Sequence, residues 1–97
     1  MEFEILISKT AKKEIDSAYS FYLEASTRVA DKFINEIYKY ILEIKSNPTQ
    51  FTTIRKKYKV CVVKRYPFTI YYFIERRKVV IVSVFHTSRN PKRKFER

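Results

Sequence analysis

His86 is the single histidine among 97 residues, and imidazole is the side chain that ordinarily titrates between pH 5 and 8. In the sequence Arg89, Lys92 and Arg93 follow it closely, and Lys64 and Arg65 stand 22 and 21 positions before it. An imidazole beside guanidinium groups is a proton-transfer group with charge stabilisation close by, equipment for a reaction in which negative charge develops. The plainer reading is that a histidine ending a strand hydrogen-bonds locally and fixes the tail. Arg65 and Arg89 have a similar pair of readings: bidentate contact with a partner's carboxylate or phosphate, or surface ion pairs worth little. Phe68, Tyr71, Tyr72 and Phe73 could stack bases, as in single-strand binders, although packing of a central strand accounts for most of them. The run Arg55-Lys56-Lys57-Tyr58-Lys59 is either a solvated edge or a contact for phosphate or acidic protein. Cys61, alone in an apolar strand, reads as a small core residue. One cysteine makes neither an internal disulfide nor a metal cluster, so no metal or cofactor is expected and the composition reads as intracellular.

The charge is unevenly distributed. Residues 1–54 hold seven basic and eight acidic side chains, a balance of −1, whereas residues 55–97 hold fourteen basic ones against Glu75 and Glu96, a balance of +12. Such asymmetry points to a polyanionic partner for the C-terminal part: nucleic acid, a ribonucleoprotein or an acidic protein segment. Hydrophobic residues make up 45% of the chain, too much for a disordered basic tail. Glycine is absent, which removes the phosphate-cradling loops of nucleotide-binding enzymes, since these need residues without a Cβ. No apolar run has signal-peptide or membrane-spanning length, so the expectation is a cytoplasmic protein without a membrane partner.

These side chains need elements to position them. Phe3, Ile5 and Ile7 alternate with polar residues, predicting a strand over about 2–8. Ala11, Ile15, Ala18, Tyr19 and Tyr22 recur at helical spacing, predicting a helix to about Leu23 with Ser8 or Thr10 as cap. A second stripe, Ala30, Phe33, Ile34, Ile37, Ile41 and Ile44, predicts a helix capped by Ser26 or Thr27 and stopped near Asn47 by Pro48. After a polar connection over 49–57, the runs 58–65, 68–75 and 79–86 read as consecutive antiparallel strands, the middle one central because both of its parities are apolar. A helical hairpin covers one face of such a sheet. The other face, with aromatics bordered by Lys and Arg, is the natural place for function. Residues 89–97 form a basic tail, and residues 1–97 make one domain.

In this order of elements, Ala11-x-x-Glu14-Ile15, Ala30-Asp31-Lys32-Phe33-Ile34, Asn47-Pro48, Arg65-Tyr66-Pro67-Phe68-Thr69-Ile70-Tyr71-Tyr72 and Val84-Phe85-His86-Thr87-Ser88-Arg89-Asn90-Pro91 together resemble the RelE/ParE superfamily of toxins from type II toxin–antitoxin modules, most closely the ParE-type plasmid stabilisation branch. The resemblance covers nearly the whole chain. It implies an α+β fold of order β-α-α-β-β-β, with the helical hairpin packed on one face of a mainly antiparallel four-stranded sheet. It also implies a small cytoplasmic, growth-inhibiting bacterial toxin, joined in a hetero-oligomer by a small acidic cognate antitoxin. Relatives usually carry glycine in the helix–helix link, where this chain has Glu24-Ala25-Ser26-Thr27.

The superfamily divides into ribosome-dependent mRNA endonucleases and ParE-type proteins that poison DNA gyrase. The arginine that the nucleases carry before the Ile-Tyr of the central strand corresponds here to Phe68, their next arginine to Thr87, and their late tyrosine to about Arg93. What remains for a nuclease is His86, Arg65 and Arg89. Lys64, Arg65, Tyr71, His86, Arg89, Lys92 and Arg93 are the expected contacts with target or antitoxin. The unfilled positions favour a non-enzymatic, ParE-like action on gyrase. An mRNA endonuclease and a degenerate relative that only binds antitoxin are the alternatives.

Overall fold

The structure, a computed structural model, describes residues 3–87. Strand β1 (Glu4–Ile7) leads into helix α1 (Lys9–Leu23) and helix α2 (Thr27–Ser46). A 3-10 turn (Pro48–Gln50) comes next, and then strands β2 (Thr52–Arg55), β3 (Tyr58–Val63), β4 (Phe68–Glu75) and β5 (Lys78–His86).

Both helices start where short hydroxyl side chains can replace the missing backbone acceptors. Ser8 accepts the Ala11 N–H at 3.0 Å and donates its own hydroxyl to the Val82 carbonyl at 2.8 Å, tying the start of α1 to β5. Ser26 caps α2 through the Val29 N–H at 3.0 Å. Ala11, Ile15 and Ala18 of α1, and Ala30, Phe33, Ile37, Ile41 and Ile44 of α2, are the buried stripes. They close over Cys61, Val63, Phe68, Ile70, Tyr72, Val79, Ile81 and Val84 of the sheet. Pro48 is buried after α2, and its carbonyl accepts the Tyr72 hydroxyl from inside this core.

The sheet has five strands in the order β1-β5-β4-β3-β2, with β1 parallel to β5 and every other pair antiparallel. This is one strand more than the four expected. The extra one, β2, falls in the predicted polar connection because all four of its residues are exposed, so no face of it carries an apolar signal. Its place is held by Lys59, whose ammonium donates to the Phe51 carbonyl at 3.1 Å and to the Thr53 hydroxyl at 2.8 Å. β3 ends at Val63, which leaves Lys64 and Arg65 in the turn to β4.

Two departures from regular geometry matter for function. In β5, Ile81 pairs with Tyr72 and Ser83 with Tyr71, so Val82 is an extra residue and the alternation of faces reverses there. The hairpin turns β2–β3 and β4–β5 each contain a non-glycine residue in the left-handed region, Lys56 at φ 49° and Arg76 at φ 59°. Each costs about 1 kcal/mol relative to glycine, whose missing Cβ removes the clash.

The face away from the helices is not open at its centre. Thr69, Tyr71, Ser83 and Phe85 are buried outside the helix-packed core, and Tyr71 stacks on Phe85 with centroids 6.1 Å apart. Phe73 further along is half-buried beneath the Lys57 ammonium, 4.1 Å from the ring centre.

Candidate functional site

Strand β1 pairs with β5 only from Lys78 to Ile81, so among the described residues the stretch from Val82 to His86 has no strand on its outer side. Helix α1 runs along this open half-edge and encloses a groove of about 330 Å³. Lys13, Glu14, Ser17, Phe21 and Tyr22 form the helical wall, and Phe68, Val84, Phe85 and His86 form the opposite one.

An unpaired strand edge presents backbone groups that need partners. Glu14 supplies one: its carboxylate accepts the Val84 N–H at 2.9 Å and the Ser83 hydroxyl at 2.7 Å. In an antiparallel ladder the backbone groups of alternate residues point to the same side, so His86 faces the same edge as Val84. A helix side chain thus takes the place of a missing strand across 70 residues of sequence separation.

The groove is floored by rings in series. Exposed Phe21 meets Tyr22 edge-on at 5.3 Å, and Tyr22 meets Phe33 at 4.9 Å. Phe33 meets Phe68 at 5.3 Å, and the His86 ring stands edge-on to Phe68 at 5.0 Å. Tyr66 closes on both Tyr22 and Phe33. Such edge-on contacts contribute beyond the apolar area they bury, so the floor is preformed rather than assembled by a ligand.

Of the residues expected at the site, His86 lines this groove and is half-buried on the helix side of the sheet. Arg65 and Lys64 are exposed in the β3–β4 turn. That turn reaches the same end of the sheet, since the Thr87 N–H donates to the Pro67 carbonyl at 2.7 Å. Lys64, Arg65 and His86 are therefore brought to one end. Tyr71 is not with them: it is 9% exposed on the opposite face. Its phenol pKa is raised, chiefly by burial and secondarily by the charge of Glu14. Arg89, Lys92 and Arg93 lie outside the described residues. Glu14 is not among the expected site residues, because its partners are about seventy positions away; its signals in the sequence are its place in Ala11-x-x-Glu14-Ile15, one of the strings that carry the resemblance, and its position on the margin of the buried stripe of α1.

Phe68, at the position of the nucleases' first arginine, is 6% exposed and wedged between Phe33 and His86 in the core. Among the described residues no group of three His, Cys, Asp or Glu side chains could hold a metal ion. Cys61 is buried in that same core, its thiol pushed up to about 12 first by burial and then by the charge of Glu43, which makes it a packing residue and not a nucleophile. Among the described residues no helix is long and apolar enough to cross a membrane.

A groove with aromatic walls, a strand edge held by the Glu14 carboxylate, Lys13 in its lining and Lys64 and Arg65 at the same end of the sheet is suited to holding a peptide segment. Two helices packed on one face of this five-stranded sheet make a two-layer α+β fold. The sequence matches the family model described as ParE toxin of type II toxin-antitoxin system, parDE, over residues 5–91, and the chain belongs to that family. The fold is similar to a solved structure titled "Chromosomal ParDE TA system from P. aeruginosa", with a TM-score of 0.79 at 13% identity, covering 88% of this chain and 96% of that one. No curated protein matches the sequence.

Proposed function

We propose that this chain is the toxin of a type II module, held in check in the cytoplasm by a small acidic cognate antitoxin. In this reading it inhibits growth by binding a protein target such as DNA gyrase, as ParE-type plasmid stabilisation proteins do, and not by cutting mRNA. One observation carries the choice of action: Phe68, where the nucleases place an arginine, is packed into the aromatic floor, so a cation there is replaced by core. The antitoxin would lay an extended or helical segment into the groove beside β5, with its acidic side chains toward Lys64 and Arg65.

Induced expression while DNA replication and translation are followed separately tests the proposal. Replication should stop first, and purified gyrase should accumulate cleaved DNA. Arrest of translation first, with ribosome-bound mRNA cut in a manner lost in His86→Ala, would instead assign the action to an endonuclease using His86, Arg65 and Arg89. No arrest at all, with antitoxin binding intact, would mark a degenerate relative.

A further inference from the structure

The run Arg55-Lys56-Lys57 spans the last residue of β2 and the β2–β3 turn, and Arg76-Arg77-Lys78 spans the β4–β5 turn and the first residue of β5. The sheet register sets the two turns side by side at the end opposite the groove: Lys57 lies over Phe73 and reaches Glu75 at 4.0 Å, and Glu75 pairs with Lys78. Lys45, in the last turn of α2, joins them across an open depression of about 530 Å³ lined also by Phe3, Glu4, Arg76 and Arg77. Seven cations thus share one end with two described carboxylates, Glu4 and Glu75. Lys57–Glu75 is the ion pair found among the described residues, which leaves Arg55, Lys56, Arg76, Arg77 and Lys78 without an internal counter-ion there. The tips of both turns are the two left-handed positions among the described residues, each occupied by a long cation, Lys56 and Arg76, where a smaller residue would suit the backbone better. Strain retained at two charged positions on one surface, and found at no other described residue, is the pattern of a surface kept for contact.

We infer that this end of the sheet docks the phosphate backbone of duplex DNA. The two turns are separated by two strand spacings, about 10 Å. Arms of lysine and arginine from them can therefore reach phosphates on both sides of a DNA groove about 6 to 12 Å wide. An acidic protein segment would want apolar anchors beside the charges; this end offers Ile54, 39% exposed next to Arg55, against seven cations, while the most exposed apolar side chains lie elsewhere, Phe21 and Leu42 on the helices and Val62 near the far end of β3. The surface is independent of the groove and of which target the toxin engages.

Fluorescence anisotropy of a short labelled DNA duplex with the full chain tests this. With about four phosphates engaged, log affinity should fall with log salt at a slope of about −3.6, about a hundredfold between 50 and 200 mM. Lys56→Gly with Arg76→Gly removes two charges while suiting the left-handed backbone, so folding is retained. Its slope should be about −1.8. Lys56→Asn with Arg76→Asn should behave alike, and Arg28→Ala with Lys32→Ala, an equal loss of charge at the start of α2, should leave the slope unchanged. The inference is overturned by absence of binding at about 50 mM salt. An unchanged slope in the turn variants, which would place binding in the basic tail, also overturns it. So does an equal fall in the α2 control, or displacement of the duplex by polyglutamate or RNA at a lower concentration than by unlabelled DNA.

Discussion

At one end of the sheet a file of rings runs from Phe21 through Tyr22, Phe33 and Phe68 to His86, with Lys64 and Arg65 at its margin. At the other end, two hairpin turns and the last turn of α2 present seven basic side chains over a shallow depression. The ends are built on the same strands yet differ in how their residues are held. Those of the first end are fixed by packing and by the Glu14 carboxylate, so a change there is felt by the fold. Those of the second end make almost no internal contacts, so a change there should be felt by a partner alone. Charge lies at both ends, but only at the first does it border a packed file of rings.

Substitutions can break this contrast. Phe33→Ala should have the largest effect, because Phe33 is fully buried and touches Tyr22, Tyr66 and Phe68. A loss of about 3–5 kcal/mol in urea unfolding is expected, together with loss of groove binding. Glu14→Ala should cost about 2–3 kcal/mol by leaving the Val84 N–H and the Ser83 hydroxyl without their acceptor. Its signature is faster amide exchange at Val84, and a protected Val84 in that variant would show that the edge does not depend on Glu14.

Cys61 adds a pH test of the layer between the two ends. Its raised pKa means that the folded chain keeps the thiol proton while the unfolded chain, titrating near 9.0, has lost it. The contribution is complete below pH 9 and declines as pH rises toward about 12. It amounts to a loss on the order of 1 kcal/mol by pH 10. Cys61→Val should flatten that decline, and an identical decline in both proteins would exclude the thiol as its source. Lys57→Ala should have the smallest effect, about 0.5–1 kcal/mol, since its ion pair with Glu75 is exposed and its place over the Phe73 ring is a surface contact. A larger loss would mean that the basic end is structural after all.

Much of the fold is legible in the residues. The stripes of α1 and α2, the stop at Pro48 and the doubly apolar strand β4 follow from period and composition, while the choice of Ser8 over Thr10 and of Ser26 over Thr27 as caps is settled only by the structure. Strand β2 does not, because a strand with no buried face has no alternation to read. Nor does the bulge at Val82. Strict alternation from Val79 and Ile81 carries Ser83 and Phe85 into the core and turns His86 away from it. The extra residue exchanges the two sets, which is why His86 lies in the groove and Phe85 stacks on Tyr71. The joint placement of Lys64, Arg65 and His86 is foreseeable only as far as the family resemblance allows, and Glu14 depends on a contact across 70 positions that no local pattern encodes.

The position of β5, between β1 and β4, also has a consequence in time. A ribosome that has delivered residues 1–77 has made both neighbours of a strand it has not yet made. The sheet then has a vacancy inside it, the hydroxyl of Ser8 has no carbonyl to bind, and one wall of the groove does not exist. Closing that gap requires the longest loop in the fold, a step whose entropy is recovered only when the final strand arrives. Anything that depends on the groove should therefore appear late and all at once as the chain is synthesised, only after β5 has taken its place between β1 and β4.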